Sequence, residues 1–241
     1  MIPDALASGF AGLYCGPAPD PGGIWARWNL DPLLLAALAV LALMLARSRA
    51  GAAAMAVLFV AFVSPLCALS AALFSARVVH HLLLVAVAAP LIALAWPARR
   101  PHAVTPVFLV ATGVLWAWHL PQAYDAAMAD KGLYWVMQAT LLGSATAFWR
   151  AVLAQDQPAG QAGLAILGAY MQMGLLGALL TFAPDALYAI HQTAPLAWGF
   201  TPLTDQQLGG IIMWVPAGIP YAALGALVAR RGWRQLQARP T

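Results

Sequence analysis

The sequence predicts an all-α, polytopic transmembrane bundle of about seven helices, with its N-terminus outside and its C-terminus inside. Three observations predict it. Of the 241 residues, 63% are hydrophobic and only 8% charged, where a soluble domain carries about 25% charged. The acidic residues are eight Asp and no Glu, and Glu is the usual partner of Lys and Arg on solvated helix faces. The basic residues, in turn, flank apolar runs instead of forming a stripe. So few charges cannot cover a globular surface, so lipid is the expected solvent and a soluble enzyme is argued against. The net charge of +4 reads as a set of topology signals, not as a nucleic-acid surface.

A helix crosses the hydrocarbon with roughly 20 apolar residues, within a range of about 17–25. Seven segments approach or meet this. Pro32 to Ala46 is the first and is short, with Trp25 and Trp28 ahead of it as interfacial anchors. Gly51 to Phe74 is the second, interrupted by Pro65. Val78 to Trp96 is the third and holds Pro90. The fourth, Ala103 to Trp118, ends in an aromatic cluster beside His119. Leu133 to Leu153 is the fifth, with Arg150 at its exit. Ala162 to Phe182, rich in Gly and Met, is the sixth, where Gly168, Gly174, Gly177 and Ala178 suggest close helix packing. The seventh is Leu208 to Ala229, with Pro216 and Pro220 inside it. Interior prolines are tolerated where neighbouring helices and side chains satisfy the freed carbonyls.

Basic residues set the orientation. With the N-terminus outside, the inner set is Arg47, Arg49, Arg99, Arg100, Arg150, Arg230, Arg231, Arg234 and Arg239, nine in all. The outer set is Arg27, Arg77 and Lys131. The expected organisation is therefore an outer segment 1–31, a membrane domain 32–229 and a basic cytoplasmic tail 230–241. Met1 to Asp31 shows no basic region followed by an apolar core, so no cleavable signal peptide is expected. The basic tail reads as a stop signal and lipid contact.

This orientation sorts the histidines. His80 and His81 open the third helix at its outer end, His119 closes the fourth, and His191 lies in the outer loop before helix seven. Only His102 falls inside. An ionisable side chain at membrane depth is a functional hypothesis by default, and neutral imidazole suits copper, zinc and iron. Each has a plainer alternative. Adjacent helical residues point about 100° apart, so one of His80 and His81 is expected to face the bundle and the other the interface. His119 fits an aromatic belt equally well, and an exposed loop His such as His191 is ordinary. Met171, Met173 and Met213 add soft donors that favour Cu(I), although Met is also ordinary packing material. Cys15 and Cys67 are too few and too differently placed for a disulfide framework; Cys67 reads as a small buried hydrophobe and Cys15 as an exposed thiol without a partner. The stretch from Pro202 to Pro216 reads as a loop in which Thr204 or Asp205 caps the seventh helix. No phosphate loop, Ser/His/Asp arrangement or paired carboxylates are found, so no catalytic residue is assigned.

Several stretches carry a resemblance. They are LFSARVVHHLLL from Leu73 to Leu84, Ala89-Pro90, Trp118-His119-Leu120-Pro121 with Tyr124-Asp125, Pro202-Leu203 with Asp205-Gln206-Gln207-Leu208, and Met213-Trp214-Val215-Pro216. Together they closely resemble the polytopic CtaG family, cytochrome c oxidase assembly factors of the bacterial inner membrane. A single-span copper chaperone of the same name is unrelated and looks nothing like this chain. The resemblance implies a non-enzymatic factor that helps build a haem–copper oxidase, delivering or positioning copper, with cytochrome c oxidase subunits and the bilayer as partners. Candidate metal residues are His81, His119, His191, His80 and Met213, of which His81 and His119, like Asp205, match family positions. The family pattern places a His one turn before His81, where this chain has Arg77, and a His-x-x-x-His in helix five, where it has Tyr134 and Gln138. A membrane copper permease and a b-type haem protein are the alternatives.

Overall fold

The computed structural model describes residues 13–45, 47–98 and 103–237, and these are helical with no strand among them. His102, Arg99, Arg100, Arg239 and the first twelve residues lie outside the described residues. All seven expected segments fall on helices. These are α1 (Pro32–Leu45), the pair α2 (Arg49–Phe62) and α3 (Leu66–Ala72), α4 (Phe74–Ala95), α5 (Val104–His119), α7 (Lys131–Val152), α8 (Ala159–Phe182), and the pair α9 (Pro202–Trp214) and α10 (Gly218–Gln237). A short α6 (Pro121–Ala129) follows α5 at a bend of 75°. By length and composition three of these helices can cross a bilayer, or five if the bent pairs α2–α3 and α5–α6 each count as one span. The first helix is short, and α7 is long enough but carries Gln138, Thr140 and Ser144.

Local chemistry explains the boundaries. Ser48 accepts the Gly51 N–H to start α2, Asp130 accepts the Leu133 N–H to start α7, and Thr201 accepts the Thr204 N–H to start α9. Pro202 stands in the first turn of α9, where a missing N–H is harmless. The expected loop from 202 to 216 is therefore helix, and Thr201, not Thr204 or Asp205, caps it. Leu73 is extended (φ −118°, ψ 130°) and ends α3, so the third segment begins at Phe74, four residues earlier than expected. Arg77 is thereby not an outer loop charge but a buried residue within α4. At the other end α10 runs on to Gln237, and Arg231 donates to the carbonyls of Leu153 and Ala154, terminating α7.

The cysteines correct a second expectation. Cys15 and Cys67 form a disulfide, which ties the N-terminal segment to α3 at the α4 end of the bundle. Spacing in the sequence could not reveal it, because 52 residues and an entire helical hairpin separate the partners.

α4 is the central helix. Of its most apolar stretch 61% is buried, against 28% for α8 and for α9–α10. Its middle, Leu83–Ala88, widens into a π turn, in which the Ala89 N–H bonds to Leu84. In this register the Val85 carbonyl would be served by residue 90. That residue is Pro90, which has no N–H. The fully buried Trp149 of α7 fills the gap, its indole Nε1 donating to the Val85 carbonyl at 2.8 Å. A second close seam joins α8 to α9: a Cβ at Gly177 would lie 2.7 Å from the Gly210 carbonyl, so only glycine admits this approach.

Replacing Trp149 by Phe should lower stability by about 1–3 kcal/mol, the cost of an unsatisfied buried carbonyl. In a Pro90→Ala background, which restores the missing N–H, the same change should cost clearly less. Thermal unfolding of the four proteins in one detergent measures that coupling.

Candidate functional site

The polar residues of the bundle collect at the N-terminal end of α4. Buried there are Arg77 (1% exposed), His80 (0%) and His81 (4%) of α4, His119 of α5, Tyr124 of α6, and Tyr134 and Gln138 of α7. Both neighbouring histidines are thus inside the bundle, contrary to the expectation that one would face the interface. The extra turn of helix before them sets their depth.

What holds α4 here is Asp205 of α9. Its two oxygens accept the Phe74 N–H at 2.6 Å and the Ser75 N–H at 3.2 Å, and the Ser75 hydroxyl also donates to it. Asp205 therefore caps α4 across the bundle instead of its own helix, with its charge at the positive end of the α4 dipole. A Cβ on the adjacent Gly209 would meet the Phe74 ring at 2.7 Å, so the two helices touch closely at the cap.

The imidazoles sit in a row. His80 packs edge-on against Phe62 at 5.0 Å, His80 and His81 are 5.7 Å apart, and His81 and His119 are 6.3 Å apart between ring centres. His119 Nδ1 is 2.7 Å from the Leu115 carbonyl. That contact requires Nδ1–H and leaves Nε2 as a lone pair. Neither nitrogen of His80, nor Nε2 of His81, has a protein partner.

His191 is placed differently. Its Nδ1 is 3.4 Å from the Ala72 carbonyl and its Nε2 2.7 Å from the Tyr124 hydroxyl. A carbonyl can only accept, so Nδ1–H donates and Tyr124 donates to Nε2. Both nitrogens are occupied in joining the 189–191 turn to α3 and α6. The turn is fixed further by Asp125, which accepts from Ala189 and Ile190, and by Gln206, which accepts from Leu187. Met213 is buried in the α8–α9 seam against Gly177. The structure thus brings His80, His81 and His119 together, employs His191 as a strut and leaves Met213 as packing. Among the described residues no group of three or more His, Cys, Asp or Glu side chains is arranged to hold a metal.

Sequence reasoning noticed Arg77, Tyr134 and Gln138 only as departures from a pattern. The Arg77 guanidinium lies 5.4 Å from the Tyr134 ring centre, and none of its three nitrogens has a protein hydrogen-bond partner. Tyr14 stacks on Tyr134 at 4.9 Å, and Cys15 Sγ lies 3.6 Å from the Tyr134 hydroxyl, so the disulfide-tethered segment covers this corner. Tyr188, also missed, donates to the His119 carbonyl and stacks on Phe74. No sequence signal marked it, since a loop tyrosine is unremarkable until the fold buries it.

Comparison with known families matches residues 42–235 to a family described as cytochrome c oxidase caa3 assembly factor, Caa3_CtaG. The match starts after Cys15, so the tether lies outside it. No curated protein and no solved structure matches the chain.

Asp205→Ala should destabilise the protein by about 2 kcal/mol or more, since two buried N–H groups lose their acceptor; Asp205→Asn, which keeps one acceptor, should lose less. Burial, reinforced by the Arg77 charge, lowers the His191 imidazole to about 3. Its neutral form is thus the folded form, and its contribution is complete above about pH 6.5, where the unfolded imidazole is also neutral. As the pH falls from there toward 3, the unfolded state takes up a proton first and stability declines. The unfolding midpoint of a His191→Gln variant should therefore vary less than wild type between pH 7 and 4.

Proposed function

The chain belongs to the cytochrome c oxidase caa3 assembly factor family, and on that premise we propose that it helps build a haem–copper cytochrome c oxidase by delivering or positioning copper at the outer face of the bacterial inner membrane. The role is assistance, not catalysis, and its partners are the oxidase subunits.

The observation that carries the copper reading is the pair His81 and His119. Each imidazole keeps an unprotonated or unpartnered nitrogen, and the two rings, on two helices, lie edge to face with centres 6.3 Å apart. One nitrogen from each ring at about 2 Å from an ion leaves the ring centres roughly 6 Å apart. Two imidazoles suit a soft, low-coordinate ion held as cargo, which is easier to pass on than one in a closed four-ligand cage. His80 stands next in the row. His191 serves the site by holding its cover, and Met213 supports the seam behind it.

Placement at the outer face rests on the arginine and lysine asymmetry, nine inner residues against Arg27 and Lys131 once Arg77 is counted within α4. The Cys15–Cys67 disulfide supports it independently, because disulfides persist in oxidising compartments. The same imidazole pair also admits a b-type haem, for which two axial histidines on facing helices are required.

Loss of the protein should lower cytochrome c oxidase activity in membranes, and added copper should partly relieve the defect. Purified protein loaded with Cu(I) should bind about one ion, most of it lost in His81→Ala and His119→Ala and kept in His191→Ala. Equal copper across all four would remove the copper reading and leave scaffolding. An oxidised-minus-reduced absorption spectrum with haem bands would favour the b-type alternative. A reporter fused after Thr241 should be active in the cytoplasm only.

A further inference from the structure

A guanidinium cannot shed its proton inside a protein, so Arg77 carries a full positive charge wherever it is placed. It is placed at 1% exposure with all three nitrogens unpartnered. Leaving a lone charge buried is among the largest penalties a fold can incur, and buried charges are accordingly paired. Asp205, the carboxylate that caps α4 one turn before Arg77, has both oxygens committed to Phe74 and Ser75. The hydroxyls of Tyr124 and Tyr134 lie within hydrogen-bonding reach of the guanidinium, though not in the geometry of a formed bond. They are dipoles and offset no charge, and Tyr124 already gives its proton to His191.

Around Arg77 the unpartnered groups are mainly donors. α4 and α7 run in the same direction here, since Arg77 meets Tyr134 near their starts and Val85 meets Trp149 further along. One turn below Arg77 on α4 stands His80, with neither nitrogen bonded; one turn below Tyr134 on α7 stands Gln138, with neither amide atom bonded. The guanidinium supplies five N–H donors, the amide two and the imidazole at least one. A disulfide sulfur cannot donate, so the Tyr134 hydroxyl is itself a donor, held only weakly toward Cys15 Sγ at 3.6 Å.

We propose that Arg77, with Gln138, His80 and the Tyr134 hydroxyl, forms a binding site for a small monovalent anion, a halide or a short carboxylate. The charge is supplied by Arg77, and the flanking donors take the place of the water the anion loses. Monovalency follows from desolvation, which grows with the square of the charge, so sulfate or phosphate would lose more on entry than one guanidinium returns. Small size follows from enclosure: Arg77, His80, Tyr134 and Gln138 are each 2% exposed or less, and Tyr14 and Cys15 lie over the tyrosine. An anion here would also remove the repulsion Arg77 exerts on any cation near His81, but the site does not depend on metal.

The test uses the full-length protein in detergent, stripped of halide and titrated with sodium chloride, sodium bromide, sodium formate or sodium sulfate at constant ionic strength made up with a bulky organic anion. Wild type should gain about 5 °C or more in unfolding midpoint at a hundredfold excess of chloride or bromide over the dissociation constant. Formate separates the carboxylate form of the site from the halide form, and sulfate should give no such gain. In Arg77→Met the dependence should vanish, with a midpoint at zero chloride no lower than that of wild type. A wild type indifferent to the anion, or a variant with the same dependence, overturns the proposal. Should Arg77→Met fail to fold, the ³⁵Cl line width decides: broadening by wild type that bromide reverses upholds the site, and no broadening rejects it.

Discussion

The arrangement rests on one buried carboxylate. Asp205 belongs to α9, yet it closes the N-terminus of α4, and a helix N-terminus in lipid has neither water nor another acceptor for its free N–H groups. The cap therefore does three things at once. It lets α4 begin at Phe74, directly after the extended Leu73. It pins α9 against α4, where Gly209 allows the approach. And by fixing where α4 starts, it fixes the depth and facing of Arg77, His80 and His81. A shift of one residue in that start would rotate all three by about 100°, carrying the arginine toward lipid or the histidines out of their row.

The same rule, that every backbone group at membrane depth needs a partner, governs the far half of α4. Pro90 and the π turn together strand one carbonyl, and Trp149 answers it with an N–H donor that brings no acceptor of its own to be satisfied. Asp205 and Trp149 are thus complementary: an acceptor lent to orphan donors at one end, and a donor lent to an orphan acceptor in the middle. Between these two satisfied points lie the unsatisfied ones, the guanidinium, the two adjacent imidazoles and the Gln138 amide. Among the described residues the one other buried side-chain atom without a partner is Arg150 Nε, in the last turn of α7, so the open side-chain demands concentrate at this corner.

Hydropathy and proline placement made the seven segments legible, because apolar length is a strong signal in any sequence that spans lipid. The boundaries were less so. Ser75 through Arg77 fell between two expected segments because a charge and a serine interrupt the apolar run; the cap that turns them into helix comes from a residue 130 positions away. Asp205 was read as capping its own helix for the same reason, since local rules see only local partners. The disulfide was invisible, as pairing depends on distance in space. Of the site, the histidines were found by rarity, while Tyr188, which donates to the His119 carbonyl, had no distinguishing pattern. Family resemblance did reach Asp205, Tyr124 and Asp125 as motif residues, and the structure shows why such positions matter: each fastens one element to another.

Arg77 decides what this corner can hold. A histidine at that position would add a neutral donor of electron pairs to the His81 side of α4; an arginine adds a permanent charge and no lone pair. Coulomb repulsion between two unit charges a few ångströms apart is about 4 kcal/mol at an intermediate effective dielectric, enough to oppose a cation bound at His81 and Arg77 together. The row from His81 to His119 leads away from the arginine toward α5, and that is the direction in which a soft cation meets lone pairs instead of N–H donors. The α7 side, with Tyr134 and Gln138, faces the charge. One cluster thus presents two neighbouring preferences on α4: a lone pair from His81 toward His119 of α5, and N–H donors from Arg77 toward Tyr134 of α7. Any ligand that enters must choose its face by the sign of its charge.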